Sequence, residues 1–240
     1  MLGSANQNST NKKRSALVIG STGLTAQYLL ELLFNSPKYQ TVYGMQRRST
    51  EISSHYTSVV CDYEQLPEYS MCFEVDDVFC CLGTTQKAAG NKEAFKRIDV
   101  DYVVTCGELA AKRKVKNFVV ISATNADINS LWFYNRIKGE MEQQLQQYFQ
   151  NSHSILHICR PSLLIGKRED KRLGEQLAQS VLGRLPFIWH GPLTKYRPIK
   201  AEQLANAMVK LTATHFNHAI NIHENDQLIK LAKTSPVQSR

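Results

Sequence analysis

Short runs of β-branched and apolar residues alternate with longer amphipathic stretches along most of this chain, and that alternation leaves few folds open to it. "SALVIG" (Ser15 to Gly20) precedes "LTAQYLLELLFNS", whose apolar positions recur at helical spacing. "TVYGM" and "TSVVCD" follow as short strands, and "DDVFCCLG" is an almost uninterrupted apolar run of the kind found in strands buried on both faces. A long helical stretch, "KEAFKRIDVDYVVTCGELAAKRK", leads to the strand "NFVVISA", then to the helix "LWFYNRIKGEMEQQLQQYF" and the strand "SILHICRP". Strands that alternate with helices predict βαβ units and a parallel sheet.

The expected fold is therefore α/β: a Rossmann-type doubly wound parallel sheet with a small irregular C-terminal lobe. Residues 1–14 read as a flexible polar tail and 15–240 as one domain. Within it, residues 161–200 form a lobe over the substrate site, because "GRLPFIWHGPLTKYRPI" carries three of the seven prolines. "AEQLANAMVKLTATHF" restores a helix, "AINIH" reads as a short strand, and the tail from Glu224 as a last helical turn or two. With 240 residues, 42% of them apolar and 21% charged, the chain can bury a sizeable core.

Several function classes recede on composition. The six cysteines sit mostly in apolar runs, without CxxC pairs or nearby histidines at ligand spacing, so they read as buried free thiols and no metal site is expected. No run approaches the roughly 18 apolar residues of a membrane span, and the start lacks an apolar leader core. The expectation is a soluble, cytoplasmic protein without a membrane partner. The net charge of +8 is spread over "NKKR", "QRRS", "AKRKVK" and "GKREDKR". It suits anionic ligands, but no basic face with interleaved aromatics points to nucleic acid.

"GSTGLTA", Gly20 to Ala26, joins the first strand to the first helix. Glycines at such a turn let the backbone approach a phosphate, and the free N–H groups and dipole of the helix attract it. Gly20, Ser21, Thr22, Gly23, Leu24 and Thr25 are thus candidate cofactor contacts. After the second strand, where an NAD site usually carries an acid, the chain has "MQRRS". Arg47 and Arg48 offer planar charged donors to a 2′-phosphate, which favours NADP (NADPH). Asp62, closing the third strand, is placed to meet the adenine or merely to end the strand.

The chain has ten tyrosines, and chance alone yields about one Tyr-x-x-x-Lys; it contains two. Tyr196 and Lys200 bracket Pro198, which bars a shared helix face. Tyr134 and Lys138 lie in a proline-free helical stretch, one turn apart, so the ammonium can lower the pKa of the phenol and reach a nicotinamide ribose. Ser122 ends the fifth strand at the carboxyl edge, where open α/β sheets bind ligands, and is the candidate to hold a carbonyl oxygen beside Tyr134. Trp189, His190 and Tyr196 in the lobe either touch a ligand or fill the lobe's own core.

With these residues in place the chain resembles the short-chain dehydrogenase/reductase superfamily, and more closely its atypical members, the group of Tat-interacting oxidoreductase-like proteins and bacterial epimerase-like relatives. "GSTGLTA", "QRR", "VFCCLGTT", "IDVDYV", "YNRIKGEME" and "RPSLLIGKREDKRLGE" carry the resemblance, from about Ala16 to His223. It implies a Ser-Tyr-Lys catalytic set, cofactor contacts at Leu82 and Gly83, and closure over the nicotinamide end by Leu164 and Arg172. The chain departs from the superfamily in two places. Asp99 stands where many members carry an Asn of the proton relay, and "ISATNA" leaves Ser122 as its one serine, with Thr124 as fallback.

The function expected is an NADP(H)-dependent oxidoreductase that moves a hydride to or from a small carbonyl or alcohol, with Tyr134 as general acid/base. The alternative is a non-catalytic NADP(H)-binding sensor with a protein partner, since fold does not fix function. A sugar-nucleotide epimerase or dehydratase ranks below both, because only about eighty residues follow Arg160. Substrate identity and oligomeric state do not follow from the sequence.

Overall fold

The structure is a computed structural model that describes residues 13–48, 56–166 and 191–234. Its centre is a seven-stranded sheet. β1 (Arg14–Ile19), β2 (Tyr39–Gln46), β3 (Thr57–Val60), β4 (Asp77–Cys80), β5 (Asn117–Ile121), β6 (Ile155–Arg160) and β9 (Ile220–Glu224) lie in the order β3-β2-β1-β4-β5-β6-β9. Every neighbouring pair is parallel. A separate parallel pair joins β7 (Leu164–Ile165) to β8 (Ile199–Lys200). The helices are α1 (Leu24–Phe34), α2 (Gln86–Ala89), α3 (Lys92–Lys96), α4 (Tyr102–Lys112), α5 (Phe133–Phe149), α6 (Ala201–Ala213) and α7 (Asn225–Lys233).

Successive side chains of a strand point to opposite faces, and in this sheet that alternation divides the core in two. Ala16, Val18, Phe79, Val119 and Cys159 meet α1, α6 and α7 on one side. Leu17, Ile19, Val78, Cys80, Phe118, Val120, Leu156 and Ile158 meet α4 and α5 on the other. The result is the doubly wound, three-layer arrangement that the sequence predicts.

Two local features differ from the sequence reading. Tyr63–Phe73 is a 3-10 stretch between β3 and β4. The predicted long helix is interrupted by a π-type turn at Arg97–Asp101. "AINIH" is a strand as read, and it joins the main sheet as its seventh; the tail from Glu224 is helical as read, over Asn225–Lys233. The expected lobe contains β7, a 3-10 turn at Gly191–Tyr196 and β8. Residues 167–190, and with them Arg172, Trp189 and His190, lie outside the described residues.

A buried polar chain crosses the sheet from the amino-terminal ends of β1, β2, β4 and β5 to His157 within β6 and His223 near the carboxyl end of β9. Asp77, fully buried at the start of β4, pairs with Arg14 of β1 and accepts from Asn117 Nδ2 of β5 (2.7 Å) and Tyr39 Oη of β2 (2.8 Å). Asn117 Oδ1 then meets His157 Nε2 (3.2 Å), whose Nδ1 meets His223 Nε2 (3.1 Å). Burial pushes His157 down to about 3 and His223 down to about 4, and it raises Asp77 to about 6.

One helix position depends on having no side chain. A Cβ on Gly139, in α5, would stand 2.3 Å from the backbone of Asp127 and Ile128, so the loop between β5 and α5 lies directly on the helix.

Two outcomes are expected. Gly139→Ala forces backbone against backbone and costs about 1–3 kcal/mol or more. Thermal unfolding should therefore begin several degrees lower, by roughly 2–4 °C per kcal/mol in a domain of this size. Acid should also weaken the fold. Both histidines are held neutral, so the unfolded chain takes up their protons first as pH falls below about 6.5. Asp77 acts in the opposite sense between about pH 6 and 4, but it is one group against two. Urea unfolding should show a net loss on the order of 2 kcal/mol at pH 5 relative to pH 7; an unchanged midpoint would refute neutral burial of the pair.

Candidate functional site

In a parallel sheet every crossover leaves a strand at its carboxyl end, and ligands bind outside that edge. Two adjoining clefts open there, of about 690 and 340 Å³. Both are lined by Gly23, Cys81, Leu82, Gly83 and Thr84, so they form one groove with two ends.

The β1–α1 turn floors this groove. Gly20 has φ +75°, the left-handed region that glycine occupies without steric cost. A Cβ there would stand 3.1 Å from the Cys81 carbonyl oxygen. α1 then opens with no side chain capping its first amides and no acid in its first turn, which leaves donors and the positive end of the helix dipole for an anion. This geometry fits the pyrophosphate of a dinucleotide. Gly20 and Thr22 line the smaller end, Leu24 and Thr25 the larger, and Gly23 both.

Other expected cofactor contacts divide. Leu82 and Gly83 line both ends, and Leu164 lines the larger. Arg47 lines the smaller end; Arg48 is exposed and does not. Ser21 is buried outside the groove, where its hydroxyl donates to Gln46 Oε1 at 2.9 Å and fastens the turn to β2. Asp62 is exposed and caps the 3-10 stretch by accepting from the Glu64 amide at 3.0 Å. The residues that line the smaller end beside Arg47 are instead Tyr63 and Tyr102, whose ring centroids are 5.7 Å apart.

At the larger end α5 presents Tyr134 and Lys138 on one face. Tyr134 is 40% exposed, whereas Lys138 is buried and forms an ion pair at 2.7 Å with Asp99 Oδ1. The π-type turn carries Asp99, and the Thr84 amide holds its Oδ2 at 2.9 Å. Burial works against the Lys138 charge, but Asp99 and Tyr134 outweigh it and raise the ammonium above its usual value. Asp99 therefore serves as the counter-charge of Lys138 at the place where a relay Asn was expected.

Ser122 lines the same cleft, but its hydroxyl does not present a proton to it. Oγ donates to Glu142 Oε1 at 2.5 Å. Glu142, also buried, is gripped by Arg160 through Nε (3.0 Å) and Nη2 (2.5 Å), and Arg160 Nη1 reaches Glu224 Oε1 at 3.0 Å. The fallback, Thr124, donates to the Arg160 carbonyl at 3.1 Å. The expected role of Ser122 as the donor to a carbonyl is thus corrected: its proton is already committed.

The second Tyr-Lys pair shares no helix face, as Pro198 requires: Tyr196 ends the 3-10 turn and Lys200 precedes α6. Tyr196 nevertheless lines the large cleft, beside Asn125. Sequence reasoning missed Glu142, although an acid one turn beyond Lys138 in an otherwise apolar stripe was a legible sign. It also missed Asn125, which has φ +61°, a conformation that Asn adopts more readily than most residues.

Comparison with known proteins agrees with this architecture. The HIM1 family profile matches residues 42–186. The rat protein HTATIP2 is 30% identical over 229 residues, covering 93% of this chain and 91% of its own. The protein FMP52, mitochondrial, of Debaryomyces hansenii is 29% identical, covering 90% and 98%. Among solved structures, MoeE5 in complex with UDP-glucose and NAD superposes with a TM-score of 0.67 at 16% identity, over 91% of this chain and 80% of that one. UDP-glucose 4-epimerase with UDP-glucose from Thermotoga maritima gives 0.67 at 14%, over 91% and 81%. These likenesses establish the fold. The expected cytoplasmic location is overturned, because the FMP52 relatives, including that of Candida albicans, are named mitochondrial; no helix among the described residues is long and apolar enough to cross a membrane. On the profile match and the extent of these alignments, the chain belongs to the HIM1 family.

Proposed function

We propose that this chain is an NADP(H)-dependent oxidoreductase acting on a small carbonyl or alcohol. The observation that carries the reading is the Tyr134–Lys138 pair, which opens into a cleft continuous with the uncapped start of α1. Gly20 to Thr25, without Ser21, together with Leu82 and Gly83, cradle the dinucleotide, and Arg47 supplies a donor for a 2′-phosphate. Leu164, which lines the larger end, closes over its far end. A bound nicotinamide dinucleotide supplies the hydride. The protein's part is to give or take the proton on the substrate oxygen at Tyr134 Oη. Lys138 is kept charged by Asp99 and stabilises the phenolate that forms when the proton leaves. Ser122 acts through Glu142 and Arg160, keeping the end of β5 and the α5 face in place.

A second reading has its own support. Asp99 offsets the charge of Lys138, and the Ser122 hydroxyl donates to Glu142 rather than into the cleft; both features lower the chemical power of the site. A sensor that binds NADP(H), with a protein partner as its output, needs the groove and not the turnover.

Titration with each cofactor and a carbonyl and alcohol panel tests both. Tyr134→Phe should lower kcat by about 100-fold or more while the NADPH Kd stays constant. Full turnover by that variant would overturn the assignment, and tight NADPH binding without turnover by the parent would favour the sensor. The double variant Arg47→Ala/Arg48→Ala should weaken NADPH by roughly tenfold or more, the loss of a charge-assisted pair, and leave NADH nearly unchanged. Equal losses would refute the 2′-phosphate preference.

A further inference from the structure

We propose that Asn125 and Tyr196 together form the element that binds the substrate oxygen, in the role the sequence assigns to Ser122. The inference rests on the carbonyl reading above and names a donor which that reading lacks.

Several donors of the large cleft are already committed. Ser122 and Thr124 have given theirs to Glu142 and to the Arg160 carbonyl. Ser162 Oγ donates to the Arg197 carbonyl at 2.5 Å. Asn135 Nδ2 is spent on the carbonyls of Thr124 and Asn125 (3.1 and 2.9 Å). A carbonyl oxygen beside Tyr134 needs a second donor to hold it, and none of these four can serve; Thr25, Thr84 and Thr85 also line the cleft, but on the α1 and β4 side that the dinucleotide would occupy.

Tyr196 can. Its hydroxyl accepts from Asn125 Nδ2 at 3.2 Å. The return distance to Asn125 Oδ1 is 3.4 Å, beyond the usual range for an O–H donor. The amide thus fixes the oxygen, and the hydroxyl proton, held only by that long return contact, is available to a substrate oxygen. Tyr196 is 37% exposed, and the Lys195 ammonium stands 4.9 Å from the centre of its ring. Both the Asn125 donation and this cation favour charge on the oxygen and hold the phenol below its usual pKa, which makes it a stronger donor.

The backbone supplies an independent sign. Asn125 is held at φ +61°, three residues beyond Ser122, with its carbonyl fastened by Asn135 of α5. Strained residues of this kind gather at ligand sites, because the surrounding structure must over-determine them. Here the strain aims an amide at Tyr196 across the cleft, bringing the carboxyl edge of β5 to the lobe.

The test uses full-length, NADPH-loaded protein, with both turnover of carbonyl compounds and their binding measured by thermal shift. Tyr196→Phe should raise KM and ligand Kd about tenfold and leave the NADPH Kd unchanged. Asn125→Gly keeps the left-handed backbone and deletes the amide, with a loss of similar size. Asn125→Asp is nearly isosteric but presents only acceptors, so it should capture the Tyr196 proton and lose more than Asn125→Gly at pH 7. A purely structural role predicts the reverse order, because Asp preserves the shape that Gly removes. Unchanged ligand binding in Tyr196→Phe, or a milder effect of Asp than of Gly, overturns the proposal. A parent that binds the panel without turning it over defeats the reductase reading alone, and the binding comparison still decides the role of the pair. A parent that binds no member of the panel overturns both.

Discussion

Because β4 and β5 are buried on both faces, polar side chains on them are confined to their ends. Asp77 and Asn117 begin these strands, Ser122 follows the end of β5, and everything between is apolar. A strand of this kind makes two demands. It needs helices on both faces, which the crossovers supply, and it sends its chemistry to the edges. The groove at the carboxyl edge is therefore assembled from crossover loops, while the sheet sets only their spacing.

The features that repeat were legible in the sequence. Strand and helix alternation, the glycine turn and the Tyr134–Lys138 spacing are all periodic or local, and the structure places each of them as read. What escaped was decided by partners distant in the chain. Nothing near Ser122 announces that Glu142, 20 residues on, will take its proton. Ser21 looked like a phosphate contact until Gln46, 25 residues on, claimed it. Asp62 is a local case, in which the strand-ending alternative held: it caps the turn two residues on. The π-type turn is a matter of one residue in a long helical pattern, below what spacing alone resolves.

α5 carries two buried charges one turn apart, Lys138 and Glu142, a spacing at which opposite charges usually pair with each other. Each is instead matched from another element: Lys138 by Asp99 on the π-type turn, Glu142 by Arg160 on β6. Buried ion pairs seldom add net stability over apolar packing, because desolvation offsets the attraction, whereas losing one partner is costly. Their effect here is geometric. They fix the rotation of α5 about its axis, and hence where Tyr134 stands, more sharply than its apolar stripe alone would.

The polar chain from Arg14 to His223 runs sideways from strand to strand, so displacing any member disturbs its neighbours. It begins at the amino-terminal ends of β1, β2, β4 and β5 and reaches the carboxyl half of β9, where His223 directly precedes Glu224, the residue that meets Arg160. The register of the strands is thus locked across the sheet on a slant, much as stitching drawn from the foot of one page to the head of another holds a whole book in order.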